Sequence, residues 1–241
     1  MRAEFFSVFH RSSASICVEQ EFALAVDFRL YLITDRKIAT KPLPEAVRLA
    51  LEGGVKAVQL REKDLPVREL LALAQELRTI TREFGAKLFI NDRVDVAVAV
   101  GADGVHLGHE SMPPEAVRKA AGKGLLIGVS THKLEEARAA EAGGADFITF
   151  GPIFETPSKS EYGAPVGIDA IKALKNEVKI PIFALGGIKS RNLRQVIVSG
   201  ASGISMISAI LAAPDIKEAA AMFVQAATVL NRLVCLDCSP R

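Results

Sequence analysis

The chain has 241 residues, 49% of them hydrophobic, with a formal net charge of +2 and three cysteines. That length and apolar content suit one large α/β domain. The near-neutral balance, without a long basic block, argues against nucleic acid as the main partner, and no apolar run is long and charge-free enough to span a bilayer. Cys17, Cys235 and Cys238 are too few for a disulfide scaffold and fit a reducing, cytoplasmic setting.

Residues 1–28 show no clear period and lack the cleavage site of a secretory signal, so they are expected to form a disordered extension. From residue 29 the chain repeats a unit of roughly 25 residues, the scale of one βα unit. Strands are expected at 29–34, 57–60, 87–90, 104–107, 125–129, 147–150, 181–185 and 203–206. Between and after them, helical period predicts helices at 43–52, 66–84, 94–100, 113–121, 134–142, 167–176, 191–198 and 215–230. Glycines in Gly53-Gly54, Gly101, Gly143-Gly144 and Gly200 suit left-handed helix ends that feed the next strand. Regular alternation predicts a parallel sheet. Eight units, with no Gly-x-Gly-x-x-Gly after the first strand, favour a single α/β domain, a (βα)8 TIM barrel over residues 29–230, above an open doubly wound sheet. Residues 231–241 then form a tail; Cys235 and Cys238 have redox-like spacing there but no strand-to-helix setting.

A barrel carries its site at the C-terminal ends of its strands. The second strand ends in Val58-Gln59-Leu60-Arg61-Glu62-Lys63, where alternation puts Gln59, Arg61 and Lys63 on one face and Val58 and Leu60 on the other. Two cations and an amide converging there suit a phosphate or pyrophosphate group. The competing reading is a structural Arg–Glu network through Glu62. Asn91-Asp92 ends the third strand, and Asp92 is the best magnesium ligand, because Mg2+ on a pyrophosphate needs only one or two carboxylates. Asp95 reads as a cap or a partner of Arg93, and His106 as a satisfied core residue. Ser130 and His132 share a face at the fifth strand's end, with His132 the better general acid–base candidate. The loop after the sixth strand, Gly151 to Lys159, is long for its kind and reads as a lid closing on an anion or as a solvated surface loop. Gly186-Gly187 and Ile207-Ser208 follow the last two strands, the usual barrel phosphate site, although a glycine pair also suits a plain tight turn. Schiff-base aldolase chemistry is disfavoured, because the sixth strand, Phe147-Ile148-Thr149-Phe150, lacks a lysine.

The stretches Gln59 to Lys63, Asn91 to Asp95, Gly104 to Gly108, Gly128 to Ser130, Gly151 to Lys159, Gly186 to Ile188 and Ser205 to Ser208 occur in order at barrel spacing. Together they resemble the thiamine phosphate synthases and their paralogues, the thiazole tautomerases, from about Leu30 to Leu230. The resemblance implies a Mg2+-dependent transferase of thiamine biosynthesis. It would join a hydroxymethylpyrimidine pyrophosphate to a thiazole phosphate through a dissociative pyrimidine-methyl cation. By resemblance, Gln59, Leu60, Arg61, Glu62, Lys63, Asn91 and Lys159 hold the pyrimidine pyrophosphate, Ser130 touches the pyrimidine, and Asp92 binds Mg2+. Thr156, Pro157, Ser158, Gly187, Ile207 and Ser208 would hold the thiazole phosphate. Arg61, Lys63, Ser130, His132 and Lys159 are the expected catalytic group. One departure stands out: Ser111 takes the place of a second metal carboxylate, which puts synthase activity in question. The alternatives are a tautomerase using His132 and a ligand-binding regulator on the same barrel. The expected partners are small phosphorylated molecules, with a homo-oligomer compatible with the sequence.

Overall fold

Successive residues of a strand point to opposite faces, and that alternation gives this chain two cores. The computed structural model describes residues 26–156 and 164–237. Strands β1 (Leu30–Ile33), β2 (Ala57–Leu60), β3 (Lys87–Asn91), β4 (Gly104–Leu107), β5 (Leu126–Thr131), β6 (Phe147–Phe150), β7 (Ile182–Leu185) and β8 (Gly203–Met206) close in sequence order into a parallel barrel. Leu30 opposite Ile204 and Leu32 opposite Met206 seal β1 to β8. Around it run α1 (Leu43–Glu52), α2 (Val67–Glu83), α3 (Val94–Val100), α4 (Pro114–Ala121), α5 (Leu134–Ala142), α6 (Gly167–Lys175), α7 (Ser190–Val198), α8 (Ser208–Leu211) and α9 (Ile216–Asp237).

The outer core lies between strands and helices. Outward residues such as Val58, Leu60, Leu88 and Ile90 meet helix stripes such as Leu70, Ala74, Leu77 and Ile80 of α2. That spacing keeps one helical face apolar. Positive φ falls on Gly54, Gly101, Gly144 and Gly200, as the helix-end reading expected.

The inner core is aromatic. Phe89, Phe147 and Phe183 point inward, and each lies against a glycine of the adjacent strand: Gly104, Gly128 and Gly203. A Cβ at any of the three would overlap the ring, so the glycines make room for the phenylalanines. Phe28 closes this floor from below, its ring 5.0 Å from Phe183 and 5.7 Å from Phe147.

Two boundaries differ from expectation. Val26 and Phe28 are 7% and 2% exposed, so the barrel begins within the segment expected to be a disordered extension. Their burial under the aromatic floor is a tertiary effect that local composition does not display. At the other end α9 continues to Asp237, past the expected stop at residue 230. Residues 231–237 contain no glycine or proline to end the helix. Residues 1–25 and Cys238 lie outside the described residues. The four-residue helix α8 was also unforeseen.

A repeated device ties the floor together. Asp103, just before β4, accepts a hydrogen bond from Leu88 N of β3 (2.8 Å) and one from Arg78 of α2 (2.6 Å). Asp146, just before β6, does the same with Ile127 N and Arg118, both at 2.7 Å. Ser202, before β8, accepts from Ile182 N at 3.2 Å. Among the described residues no helix is long and apolar enough to cross a membrane.

Candidate active site

Above the aromatic floor the barrel interior turns polar. Gln59 of β2 points inward, and its side-chain amide donates to the Tyr31 hydroxyl at 3.2 Å. Tyr31 lies 3.4 Å from His106 Nδ1, and His106 Nε2 lies 3.0 Å from Ser130 Oγ. Thr149 approaches both His106 Nε2 and Ser130 Oγ at 3.4 Å. Burial pushes the Tyr31 hydroxyl well above its usual pKa, so it stays a neutral donor. With Gln59 donating to it, Tyr31 can give its hydrogen to Nδ1, which leaves Nε2 to carry a hydrogen toward Ser130. Ser130 then accepts from His106 and keeps its own O–H for another partner. His106 is thus the satisfied core residue expected. Tyr31 and Thr149 were not foreseen as members of this layer; their inward phase on β1 and β6 was the available signal.

At the end of β2 the charged residues sort unequally. Glu62, 5% exposed, takes hydrogen bonds from Thr34 Oγ1 (2.7 Å) and from Arg36 N (3.1 Å) and Nη1 (3.1 Å). The Arg–Glu network therefore exists, but its arginine is Arg36. Leu60, 1% exposed, packs outward against the helices. Expected as substrate contacts, Leu60 and Glu62 have side chains committed to the protein and form cavity wall. Arg61 and Lys63 show no side-chain hydrogen bond or ion pair among the described residues. Arg61 is half-buried and Lys63 exposed.

A cavity of about 240 Å³ lies beside them, lined by Lys63, Asn91, Asp92 and Arg93. Asp92 sits in the left-handed region at φ 59°, sparsely used by non-glycine residues and a common sign of a functional position. Its carboxylate accepts from Asn91 Nδ2 at 2.7 Å and Gly108 N at 3.2 Å, and closely from the Ser111 hydroxyl. Ser111 in turn accepts from Gly108 N at 2.6 Å. Ser111 thus stands against Asp92, where a second carboxylate was expected. Arg93 pairs with Asp95 at 2.8 Å, as the sequence suggested, and lowers the Asp95 pKa to about 2. The oxygen donors of Asp92 and Ser111 suit a hard cation completed by ligand phosphate oxygens and water. Among the described residues no group of three acidic, histidine or cysteine side chains forms a self-sufficient metal cage.

A second cavity, about 300 Å³, opens on the opposite rim and is lined by Thr156, Gly186, Gly187, Ile207 and Ser208, among others. Gly186 and Gly187 have φ of 97° and 65° and pack closely on Pro152, Phe154 and Glu155. The pair therefore makes a tight turn that lines this cavity. Ser208 opens α8, which is too short to add much helix dipole. His132 lines neither cavity; its Nδ1 contacts the Gly151 carbonyl and its backbone N–H donates to Glu136 at 2.7 Å. That ring is engaged with the β6 loop. Pro157, Ser158 and Lys159 lie outside the described residues.

Comparison with known proteins points one way. The family model for thiamine monophosphate synthase matches residues 30–210. A relative from Geobacter sulfurreducens is 58% identical over 196 residues, covering 81% of this chain and 92% of its own. Thiamine-phosphate synthase of Moorella thermoacetica is 46% identical over 192 residues, covering 79% and 91%. The solved thiamine phosphate pyrophosphorylase of Pyrococcus furiosus superposes with a TM-score of 0.79 at 42% identity, covering 86% of this chain and 98% of that one.

Proposed function

The chain belongs to the thiamine monophosphate synthase family, and from that premise we propose that its barrel mouth couples a hydroxymethylpyrimidine pyrophosphate to a thiazole phosphate, giving thiamine phosphate and pyrophosphate. One observation carries the reading: Lys63 lines the Asp92 cavity, Arg61 precedes it in the same loop, neither has a side-chain ion pair or hydrogen bond among the described residues, and a glycine-lined cavity opens on the far rim. Two anionic substrates need two such places. The isomerase alternative draws no support from these relatives, and the engaged ring of His132 does not recommend it.

In this reading Arg61, Lys63 and Asn91 hold the pyrophosphate. The guanidinium fork and the ammonium offset the charge that grows on it as the carbon–oxygen bond breaks. The pyrimidine ring enters the barrel, with Gln59 below and the Ser130 O–H as a donor to it. The developing pyrimidine-methyl cation meets side chains already engaged with one another, the hydrogen-bonded layer of Gln59, Tyr31, His106, Ser130 and Thr149. On the other rim the amides near Gly187 and Ser208 hold the thiazole phosphate, with Thr156 beside them, and so aim the ring nitrogen at the cation. Positioning of this kind supplies much of the rate in a two-substrate reaction. Asp92 would hold Mg2+ with Ser111 alongside, and bound magnesium supplies further charge neutralisation to the leaving pyrophosphate. Pro157, Ser158 and Lys159 belong to the same reading as the closing loop. A cytoplasmic location fits the sparse cysteines.

The test is direct coupling. Purified protein with both substrates and Mg2+ is expected to form thiamine phosphate and pyrophosphate in equal amounts. A folded protein that forms neither would overturn the reading.

A further inference from the structure

The loop that carries Arg61 and Lys63, neither with an ion-pair partner among the described residues, also carries two carboxylates. Arg61, Glu62, Lys63 and Asp64 alternate in sign. Left alone, Glu62 and Asp64 would fold back onto their neighbours and cancel the charge an anion needs.

The structure holds both carboxylates elsewhere. Arg36, from the loop after β1, reaches across with its whole guanidinium. Its Nη1 lies 3.1 Å from Glu62 and 2.6 Å from Asp64, and its Nη2 lies 3.0 Å from Asp64. Its backbone N–H also points at Glu62, 3.1 and 3.2 Å from the two oxygens. Lys37 adds a 2.9 Å contact to Asp64. Thr34 completes the clamp: its hydroxyl donates to Glu62 at 2.7 Å and accepts from Arg61 N at 2.9 Å. The Glu62 side chain is 2% exposed, so this is a buried anchor with a solvent-facing outer half. Arg36 and Lys37 hold the Asp64 carboxyl well below the usual carboxylate range, keeping it charged.

We propose that Arg36 is a positioning residue for the pyrophosphate site: by pinning Glu62 and Asp64 it presents Arg61 and Lys63 to the ligand. A lysine cannot reproduce the role, because a point charge lacks the fork that reaches two carboxylates at once. The inference rests on the synthase reading of the same rim, and the experiment separates the two.

Calorimetry would measure inorganic pyrophosphate and thiazole phosphate binding to wild type, Arg36→Met, Arg36→Lys and Asp64→Asn. Arg36→Met is expected to weaken pyrophosphate roughly 10- to 100-fold, the usual cost of losing a supporting contact behind a ligand. Thiazole phosphate, held on the opposite rim, should change less than about twofold. Arg36→Lys should recover only part of the loss. In turnover, Arg36→Met should raise KM for the pyrophosphate substrate more than it lowers kcat. Asp64→Asn keeps the buried half of the clamp and is the safer variant for folding. Removing a negative charge beside Lys63 would tighten pyrophosphate if charge alone mattered; a positioning role predicts weaker binding. Wild-type affinity in Arg36→Met, or tighter binding in Asp64→Asn, would overturn the proposal and leave the synthase reading intact. A wild type that binds no pyrophosphate would overturn the synthase reading itself.

Discussion

Charged side chains at the two ends of the barrel lead different lives. At the floor Arg78 and Arg118 are each matched by an aspartate, at 2.6 and 2.7 Å, and each aspartate also holds a strand N–H. At the mouth Arg61 and Lys63 have no such partner among the described residues, although Glu62 and Asp64 sit next to them in sequence. At the floor each of these arginines faces a carboxylate. At the mouth Arg36, Glu62 and Asp64 pair with one another and leave Arg61 and Lys63 outside the network. The contrast teaches that cations left out of an ion-pair network, more than charge by itself, distinguish the two ends. It matches the general division of this fold into a stability face and a catalytic face.

Substitutions at the two ends should therefore separate stability from activity. Replacing both mouth cations, Arg61→Ala with Lys63→Ala, is expected to lower kcat/KM by ~10³-fold or more, about 4 kcal/mol of transition-state stabilisation. The melting temperature should change little, since no side-chain hydrogen bond or ion pair among the described residues is lost; a large fall would break the comparison. Phe28→Ala should do the reverse. Emptying the floor is expected to cost about 3 kcal/mol in a denaturant titration, with kcat/KM of the folded fraction unchanged. Asp103→Ala leaves Arg78 and Leu88 N short of an acceptor and should cost about 2 kcal/mol by the same titration, again without a change in KM. Ser111→Asp sharpens the mouth's side of the contrast. A second carboxylate beside Asp92 is expected to raise apparent Mg2+ affinity roughly tenfold, read by metal titration in the presence of pyrophosphate. Exposed pairs such as Arg48 with Glu83 serve as the baseline. Glu83→Gln should leave both the denaturation midpoint and the activity at wild-type values.

Most of the fold could be read from the sequence because its signals are local. Alternation in Val58 to Arg61 and the glycines after each helix depend on residues a few positions apart, and every expected strand and long helix is present. The misses needed distant partners. Phe28 joins the barrel only because Phe89, Phe147 and Phe183 leave it a place, and no local period announces that. Arg36 meets Glu62 from the loop of the neighbouring strand, so a sequence reading that expected an Arg–Glu network could not tell that its arginine would be Arg36 and not Arg61. Asp92 and Ser111 were legible as a pair by family pattern, and the structure puts them in contact. The loop residues Pro157, Ser158 and Lys159 remain sequence inferences. Gly187 was legible as a turn glycine after the seventh strand, but its packing on Phe154 and Glu155 was not.

If the two rims of the mouth hold two anions at once, pyrophosphate and thiazole phosphate bind together. A calorimetric titration of pyrophosphate with Mg2+, run with and without saturating thiazole phosphate, decides this. One pyrophosphate is expected per chain in both runs, with an affinity that thiazole phosphate does not weaken. Competition between the two ligands would show a single shared anion site and contradict it.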